Sequence, residues 1–391
     1  MSSPFMFEKP LGMKDTLPLL YDRNEEVTSQ IAEEVRLWGY QTLHTPALEY
    51  YDTVGAASAI HDAKLFKLMD RQGRTLVLRP DMTAPIARVV SSSLKDEPLP
   101  LRLAYNTALY RTQEHEGKPA EFEQYGVELI GDQTVSADGE IMALLISAFE
   151  KTGLRHFRLA FGHIGFMNAL FTEVVGSGDH VHALKQFLFE KNYVGFKRYV
   201  RKLPISALDK NRLEQLLSLR GGPDMLETAK ELVSSSDALR ALQEVQEVWN
   251  VLESYGVSTY MNIDLNVVLH IDYYTGVVFE SYGKELGFPL ASGGRYDELV
   301  PKFGRQASAT GFGIRMDRLL EALNHIDRPL NQERTLILFS KERQKEAVDE
   351  AKQLRESGKC VVIQHVTGIE DLDTYTSTFT HVIQRIGGSA S

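Results

Sequence analysis

The sequence predicts an α+β fold: an antiparallel sheet core flanked by helices, with a helical insertion and a small C-terminal α/β domain. Three stretches carry that expectation. Val268 to Glu280, V-L-H-I-D-Y-Y-T-G-V-V-F-E, gathers β-branched and aromatic residues around one glycine, Gly276, as a bent strand lining a pocket would. From Phe166 to about Tyr260 the apolar residues recur at helical spacing instead, between breaks at Gly176-Ser177-Gly178 and Gly221-Gly222-Pro223. From about Arg334 the pattern alternates strand, helix, strand.

In chain order, Pro10 to Pro18 (P-L-G-M-K-D-T-L-P) reads as the entry to a helix with Asp15 or Thr16 as its cap. Val27, Ile31, Val35 and Trp38 then mark one buried face. Arg71-Gln72-Gly73-Arg74 is a turn between two strands, and Leu76-Val77-Leu78 leads through a loop to a helix beginning near Thr83. Two strands flank a loop around Gly117, and Glu114, Glu116, Glu121 and Glu123 crowd that hairpin. Such a run suits a solvated tip and would repel phosphates. Ser136 to Phe149 is a helix capped by Ser136, followed by a strand from Phe157 to Phe161 and a turn containing His163. His180 and His182 lack the carboxylate or cysteine company of a metal site and read as exposed loop histidines, so no metal is expected. Gly311 and Gly313 lack the third glycine and the βαβ context of a dinucleotide fingerprint, and no cofactor is expected. The tail reads as strand Thr335 to Phe339, helix Glu342 to Glu356, strand Cys360 to Gln364 and a last strand near Val382-Ile383.

A chain of 391 residues can bury full hydrophobic cores in two or three domains without a disulfide or a metal. The single cysteine, Cys360, cannot pair within the chain, and the start, MSSPFMFEKP, has no apolar core of signal length. Both point to a reducing cytosol, so a cytoplasmic location is expected. No apolar run is long enough to span a bilayer. A net charge of -10 argues against a dedicated nucleic-acid binder, although an acidic protein can hold a local basic face.

In Val268 to Glu280 a carboxylate, two phenols and an imidazole stand close together, an assortment that suits a small zwitterion with an aromatic ring. A half-buried strand whose tyrosines merely pack would read the same way. The segment resembles the signature strand of the class II histidyl-tRNA synthetases, R-G-L-D-Y-Y-T-G, with His270 and Ile271 standing where that family has Arg and Gly. W-G-Y-Q-T-L-H-T-P-A-L-E, from Trp38 to Glu49, is similar to the family's motif 1, which with its proline, here Pro46, makes a dimer interface. L-R-P-D-M-T-A resembles a family segment that places a carboxylate and a threonine on the ligand ammonium, roles that fall to Asp81 and Thr83, with Met82 in place of a glycine. Tyr105 to Gly131 is similar to motif 2. Its arginine is Arg111, while Gln124 would lie near the ammonium and Glu128 would accept from an imidazole N–H. P-L-A-S-G-G-R-Y-D-E-L-V, from Pro289, resembles a second histidine signature, whose glycines let backbone approach the amino acid. A-T-G-F-G-I-R-M-D-R-L-L, from Ala309, resembles motif 3. Arg318 takes the arginine that stacks on ATP, and Arg315 replaces a glycine, so that it should occupy adenine or ribose space.

The resemblance spans nearly the whole chain with its motifs in order. It implies a synthetase-like core at 1–165 and 261–328, a helical insertion at 166–260, and at 329–391 a domain shortened relative to an anticodon-binding domain. It implies a histidine pocket of Asp81, Thr83, Arg111, Gln124, Glu128, His270, Tyr273 and Tyr274, with no catalytic residue. Adenylate formation needs cations where charge develops, and one lost donor costs on the order of 10²–10³ in rate. The departures at His270, Ala120, Glu121 and Arg315 therefore point away from aminoacylation. A histidine pocket without activation resembles the family of regulatory subunits of short-form ATP phosphoribosyltransferases. That implies L-histidine as effector, a separate catalytic subunit as partner, and a homodimer through the motif 1 region within a hetero-octamer. It implies neither tRNA nor membrane. A functioning truncated synthetase, or a synthetase-like module binding RNA or protein, are the alternatives.

Overall fold

The computed structural model describes residues 8–58, 60–112, 119–269, 274–284, 286–323 and 333–387. The chain divides into two compact units, Met1–Ile326 and Asp327–Ser391.

The first unit opens with α1 (Pro18–Leu37), whose Val27, Ile31 and Val35 are buried along one stripe. Its cap is Leu17, which makes no side-chain bond, so neither Asp15 nor Thr16 serves. Asp15 instead pairs with Lys9, and Pro18, having no N–H, presents one donor fewer to cap. The strands β1 (Gln41–Thr42), β2 (Leu48–Tyr50), β3 (Lys67–Met69) and β4 (Thr75–Leu78) follow, with the Arg71–Arg74 turn between the last two. Then come α2 (Thr83–Ser91), the long hairpin strands β5 (Leu101–Tyr110) and β6 (Glu121–Ile130), and α3 (Val135–Lys151). Ser136 lies inside α3; the cap position is Thr134, without a side-chain bond, because its hydroxyl donates to Asp132. The strand β7 (Phe157–His163) leads into helices α4 (Ile164–Val175), α5 (Asp179–Phe189), α6 (Tyr193–Lys202) and α7 (Ala207–Leu216), the short β8 (Arg220–Gly221), and α8 (Met225–Lys230) and α9 (Ser236–Ser254). His180 and His182 sit in the first turn of α5 rather than in a loop; Asp179 starts that helix directly after the Gly176–Gly178 break. The chain returns through β9 (Met261–Asp264), β10 (Val277–Gly283), β11 (Pro289–Arg295), α10 (Leu299–Lys302), β12 (Ala309–Arg315) and α11 (Met316–Ala322).

The strand expected from Val268 starts later, at Val277. Val268, Leu269, Tyr274 and Thr275 belong to no strand, and 270–273 lie outside the described residues. Thr275 instead donates its N–H to the Arg295 carbonyl, and a Cβ on Gly276 would press on the Arg295 side chain at 3.0 Å.

The main sheet runs β1-β5-β6-β12-β11-β10-β7-β9-β8. It is antiparallel except for the β1/β5 and β7/β9 pairs, and a smaller antiparallel sheet runs β2-β4-β3. Alternation gives the main sheet two unlike faces. On β6, Tyr125, Val127 and Leu129 enter the large core with α3, which is apolar nearly all round, and with α9. Burying each such side chain contributes roughly 1.5–3 kcal/mol. The helices between β7 and β9 share that core, which includes Leu184, Phe196, Leu213 and Leu242. Gly139 lets α9 approach α3, since a Cβ there would fall on Val251. The opposite face of β6, with Phe122, Gln124, Gly126 and Glu128, carries the candidate site.

The second unit has β13 (Arg334–Phe339), α12 (Gln344–Glu356), β14 (Cys360–His365), the short α13 (Leu372–Thr376) and β15 (His381–Arg385). Its strands form a parallel sheet in the order β14-β13-β15, and Ala347 and Ala351 of α12 pack on Ile337 and Val361.

Candidate functional site

Glycines shape the site. Gly311 on β12 stands opposite Glu128, and a Cβ there would fall on the Glu128 carboxylate. A Cβ on Gly313 would fall on the Gln124 amide, one on Gly126 on the Tyr105 ring, and one on Gly294 on the Tyr274 ring. Removing four side chains from one sheet face leaves a trough in which larger polar side chains lie down.

The resulting cavity has a volume of about 180 Å³ and brings together Asp81, Thr83, Arg111, Gln124, Glu128 and Tyr274. Pockets for drug-sized ligands run about 300–1,000 Å³, so this one has the scale of an amino acid. His270 and Tyr273, the other two expected pocket residues, lie outside the described residues, as do residues 113–118, with Glu114, Glu116 and Lys118.

The polar groups are held from several elements. Asp81, at the entry to α2, accepts the Ala84 N–H at 3.1 Å and the Ser58 hydroxyl. It thus holds the first turn of α2, whose cap position is Met82, and is a cavity carboxylate at once, with lone pairs to spare. Glu128, 3% exposed, accepts from the Tyr296 hydroxyl at 2.6 Å and from Thr83 Oγ1 at 3.2 Å. Burial pushes its carboxyl up to about 8, against the two hydroxyl donors, so it is mostly protonated at neutral pH. Burial likewise drives the Tyr105 and Tyr274 phenols far above their ordinary value, and Tyr105 donates to Gln124 Oε1 at 2.9 Å. Arg111 spends its Nε on the Pro80 carbonyl at 2.8 Å, which fixes the guanidinium at the cavity wall. Arg318 donates to the Pro289 carbonyl at 2.7 Å, and burial, reinforced by Arg315 and Arg111, lowers its pKa.

Tyr105, Tyr296 and Ser58 were not singled out from sequence. Tyr296 directly follows S-G-G-R and Tyr105 opens the motif 2 stretch, so position alone pointed to both; Ser58 sits in a segment with no signal. Gly293 and Gly294, expected to let backbone approach a ligand, make room for Phe279 and Tyr274, while Ala291 and Ser292 of the same strand line the cavity. Arg295 anchors the end of that strand. It bonds Asp138 at 2.9 Å and the carbonyls of Asp132 and Thr134, with both side chains buried. His163 is structural: it caps α4 by accepting the Gly165 N–H and meets Glu244 at 2.9 Å. Among the described residues no group of three or more His, Cys, Asp or Glu could hold a metal ion, and no helix is long and apolar enough to cross a membrane.

A family model described as Histidyl-tRNA synthetase matches residues 12–319, and one described as Histidyl-tRNA synthetase HisZ, C-terminal domain, matches residues 336–387, so the chain that builds this sheet and cavity belongs to the histidyl-tRNA synthetase class. The solved histidyl-tRNA synthetase from Nostoc sp. PCC 7120 shares the fold, with a TM-score of 0.80 at 19% identity over 95% of this chain and 88% of that one. The curated ATP phosphoribosyltransferase regulatory subunit of Halalkalibacterium halodurans is 55% identical over 388 residues, covering 99% of this chain and 98% of the relative. A crystal structure described as an ATP phosphoribosyltransferase regulatory subunit/histidyl-tRNA synthetase from Bacillus halodurans gives a TM-score of 0.93 at 55% identity, over 99% of this chain and all of that one. The chain belongs to the ATP phosphoribosyltransferase regulatory subunit family.

Proposed function

We propose that the chain is the non-catalytic subunit of a short-form ATP phosphoribosyltransferase. In this reading it senses L-histidine, and a separate catalytic subunit needs it for activity and for feedback inhibition in the first step of histidine biosynthesis. The observation that carries this reading is the meeting of Asp81, Glu128 and Arg111 in one cavity of amino-acid scale. Asp81, with Thr83 and Gln124 beside it, takes the ligand ammonium; Arg111 takes the carboxylate; Glu128 and Tyr274 take the imidazole. His270 and Tyr273 complete the set by resemblance. Charge-assisted bonds at both ends of a zwitterion are about twice as strong as neutral ones, which favours a free amino acid over a neutral ligand of the same size.

The chain works in the cytoplasm, pairs with a second copy through residues 38–49 and joins the catalytic subunit in a hetero-octamer, without tRNA or membrane. Histidine stabilises one subunit arrangement over another, and a coupling of about 1–3 kcal/mol shifts affinity ~5–150-fold. The test is a phosphoribosyl transfer assay with the co-purified catalytic subunit, with and without histidine. Activity that needs this chain and falls with histidine supports the reading; activity indifferent to both removes it. A functioning histidyl-tRNA synthetase is the second reading, favoured by Arg111 and Arg318 both lining the cavity. Histidine-dependent ATP–pyrophosphate exchange would establish it.

A further inference from the structure

The cavity is not poor in cations. Arg111, Arg315 and Arg318 all line it, so polyphosphate would not be turned away by charge alone. What a flat nucleobase would need is an aromatic face, and one ring of the lining, Phe122, stands beside two of these arginines, with the Arg111 Cζ 5.2 Å from its centre. Arg315 already occupies that face. Its Cζ lies 3.7 Å from the centre of the Phe122 ring, a separation reached only over the face of an aromatic ring. The guanidinium is not free to swing away: Nε and Nη2 bond the two carboxylate oxygens of Asp317 at 3.0 and 2.8 Å, and only 17% of the side chain is exposed. Register explains the placement. Arg315 ends β12 opposite Gln124, on the sheet face that also carries Phe122. A planar guanidinium stacked on a ring and held by a two-point ion pair fills a slot much as a ligand would.

We propose that Arg315, clamped by Asp317, is a built-in plug that takes the aromatic slot over Phe122, confines the cavity to an amino-acid-sized ligand and excludes purine nucleotides. This inference rests on the cavity being the ligand site, and not on histidine being its ligand. It shifts the reason for nucleotide exclusion from missing positive charge to an occupied surface.

The experiment is a calorimetric titration of ATP into the full-length wild-type protein and into Arg315→Ala, Asp317→Asn and the double variant Phe122→Leu/Arg315→Ala, each checked for folding by its melting curve. Wild type should show no saturable binding up to millimolar ATP. Arg315→Ala should gain a site at least tenfold tighter than that limit, Asp317→Asn a weaker one, and the double variant should lose the gain. Asp317→Asn keeps the inference testable if Arg315→Ala does not fold. Wild type binding ATP as tightly as Arg315→Ala would overturn it. So would failure of every folded variant to bind, or a double variant that binds as well as Arg315→Ala. Titrating L-histidine into the same wild-type sample separates the two claims. Histidine binding without an ATP gain in the variants sinks the plug alone, and an ATP gain in a chain that ignores histidine sinks the sensor alone.

Discussion

Glu128→Gln isolates the electrostatics of the cavity floor. The amide keeps the shape of the carboxyl and can still accept a hydroxyl proton, but it cannot ionise. In the folded chain burial holds the Glu128 proton up to about pH 8, against an ordinary value of 4.5. Each unit of such a difference is about 1.4 kcal/mol, so ionising Glu128 in place works against the fold by on the order of 4–5 kcal/mol. The sign follows from proton counting. Between about pH 4.5 and 8 the folded state binds more protons at this position than the unfolded one, so this group makes stability fall as pH rises, by up to about 1.4 kcal/mol per unit. Below 4.5 both states are protonated and above 8 both are ionised, so the slope is confined to that window. Urea unfolding of wild type and variant at pH 5, 6.5 and 8 measures it. The variant's stability relative to wild type should climb by several kcal/mol across the series, whatever fixed offset the changed hydrogen bonds to Thr83 and Tyr296 introduce. Parallel curves would mean that Glu128 is ionised in the folded chain, and the reasoning from burial would be refuted.

Other substitutions test other parts of the site. Gly311→Ala puts a methyl on the Glu128 carboxylate, so it should destabilise by about 1–3 kcal/mol in urea unfolding and abolish ligand heat in calorimetry. Arg295→Met leaves Asp138 buried without its partner and should cost about 3–5 kcal/mol by the same assay, although neither residue lines the cavity. Arg111→Ala should weaken histidine binding at least tenfold in calorimetry, because the guanidinium that an Nε bond to the Pro80 carbonyl holds in the cavity lining is the group that meets the ligand carboxylate. Thr83→Val removes a donor to Glu128 and should raise that carboxyl further, moving the midpoint of the pH–stability profile upward.

The order of motifs was legible because each motif is also a piece of local chemistry. Thr83 begins α2, the Arg71–Arg74 turn joins two strands, and the tail alternates as written. Helix caps were less legible. Asp15 and Ser136 have capping side chains, but Lys9 pairs with one and the other sits two residues past the cap position, inside the first turn. The late start of β10 has a tertiary origin, since Thr275 bonds Arg295, twenty residues on. Gly311 and Gly313 could be read only for what they do not form; that they make clearance for Glu128 and Gln124 follows from strand register, which no local pattern carries. Tyr296 stands directly after a recognisable motif, but its bond to Glu128, 168 residues away, could not be read locally. The loss of positive charge inferred from the motif 2 loop was only half of the picture, because Arg315 adds a guanidinium to the cavity that the loop sequence does not reveal.

The most direct measurement is a calorimetric titration of L-histidine into the purified chain near pH 7. One saturable site per chain, lost in Arg111→Ala and not reproduced by histamine, which lacks the carboxylate, is the result expected of a sensor that grips both ends of the free amino acid. Absence of heat from the wild-type protein, or equal affinity for histamine, would contradict it.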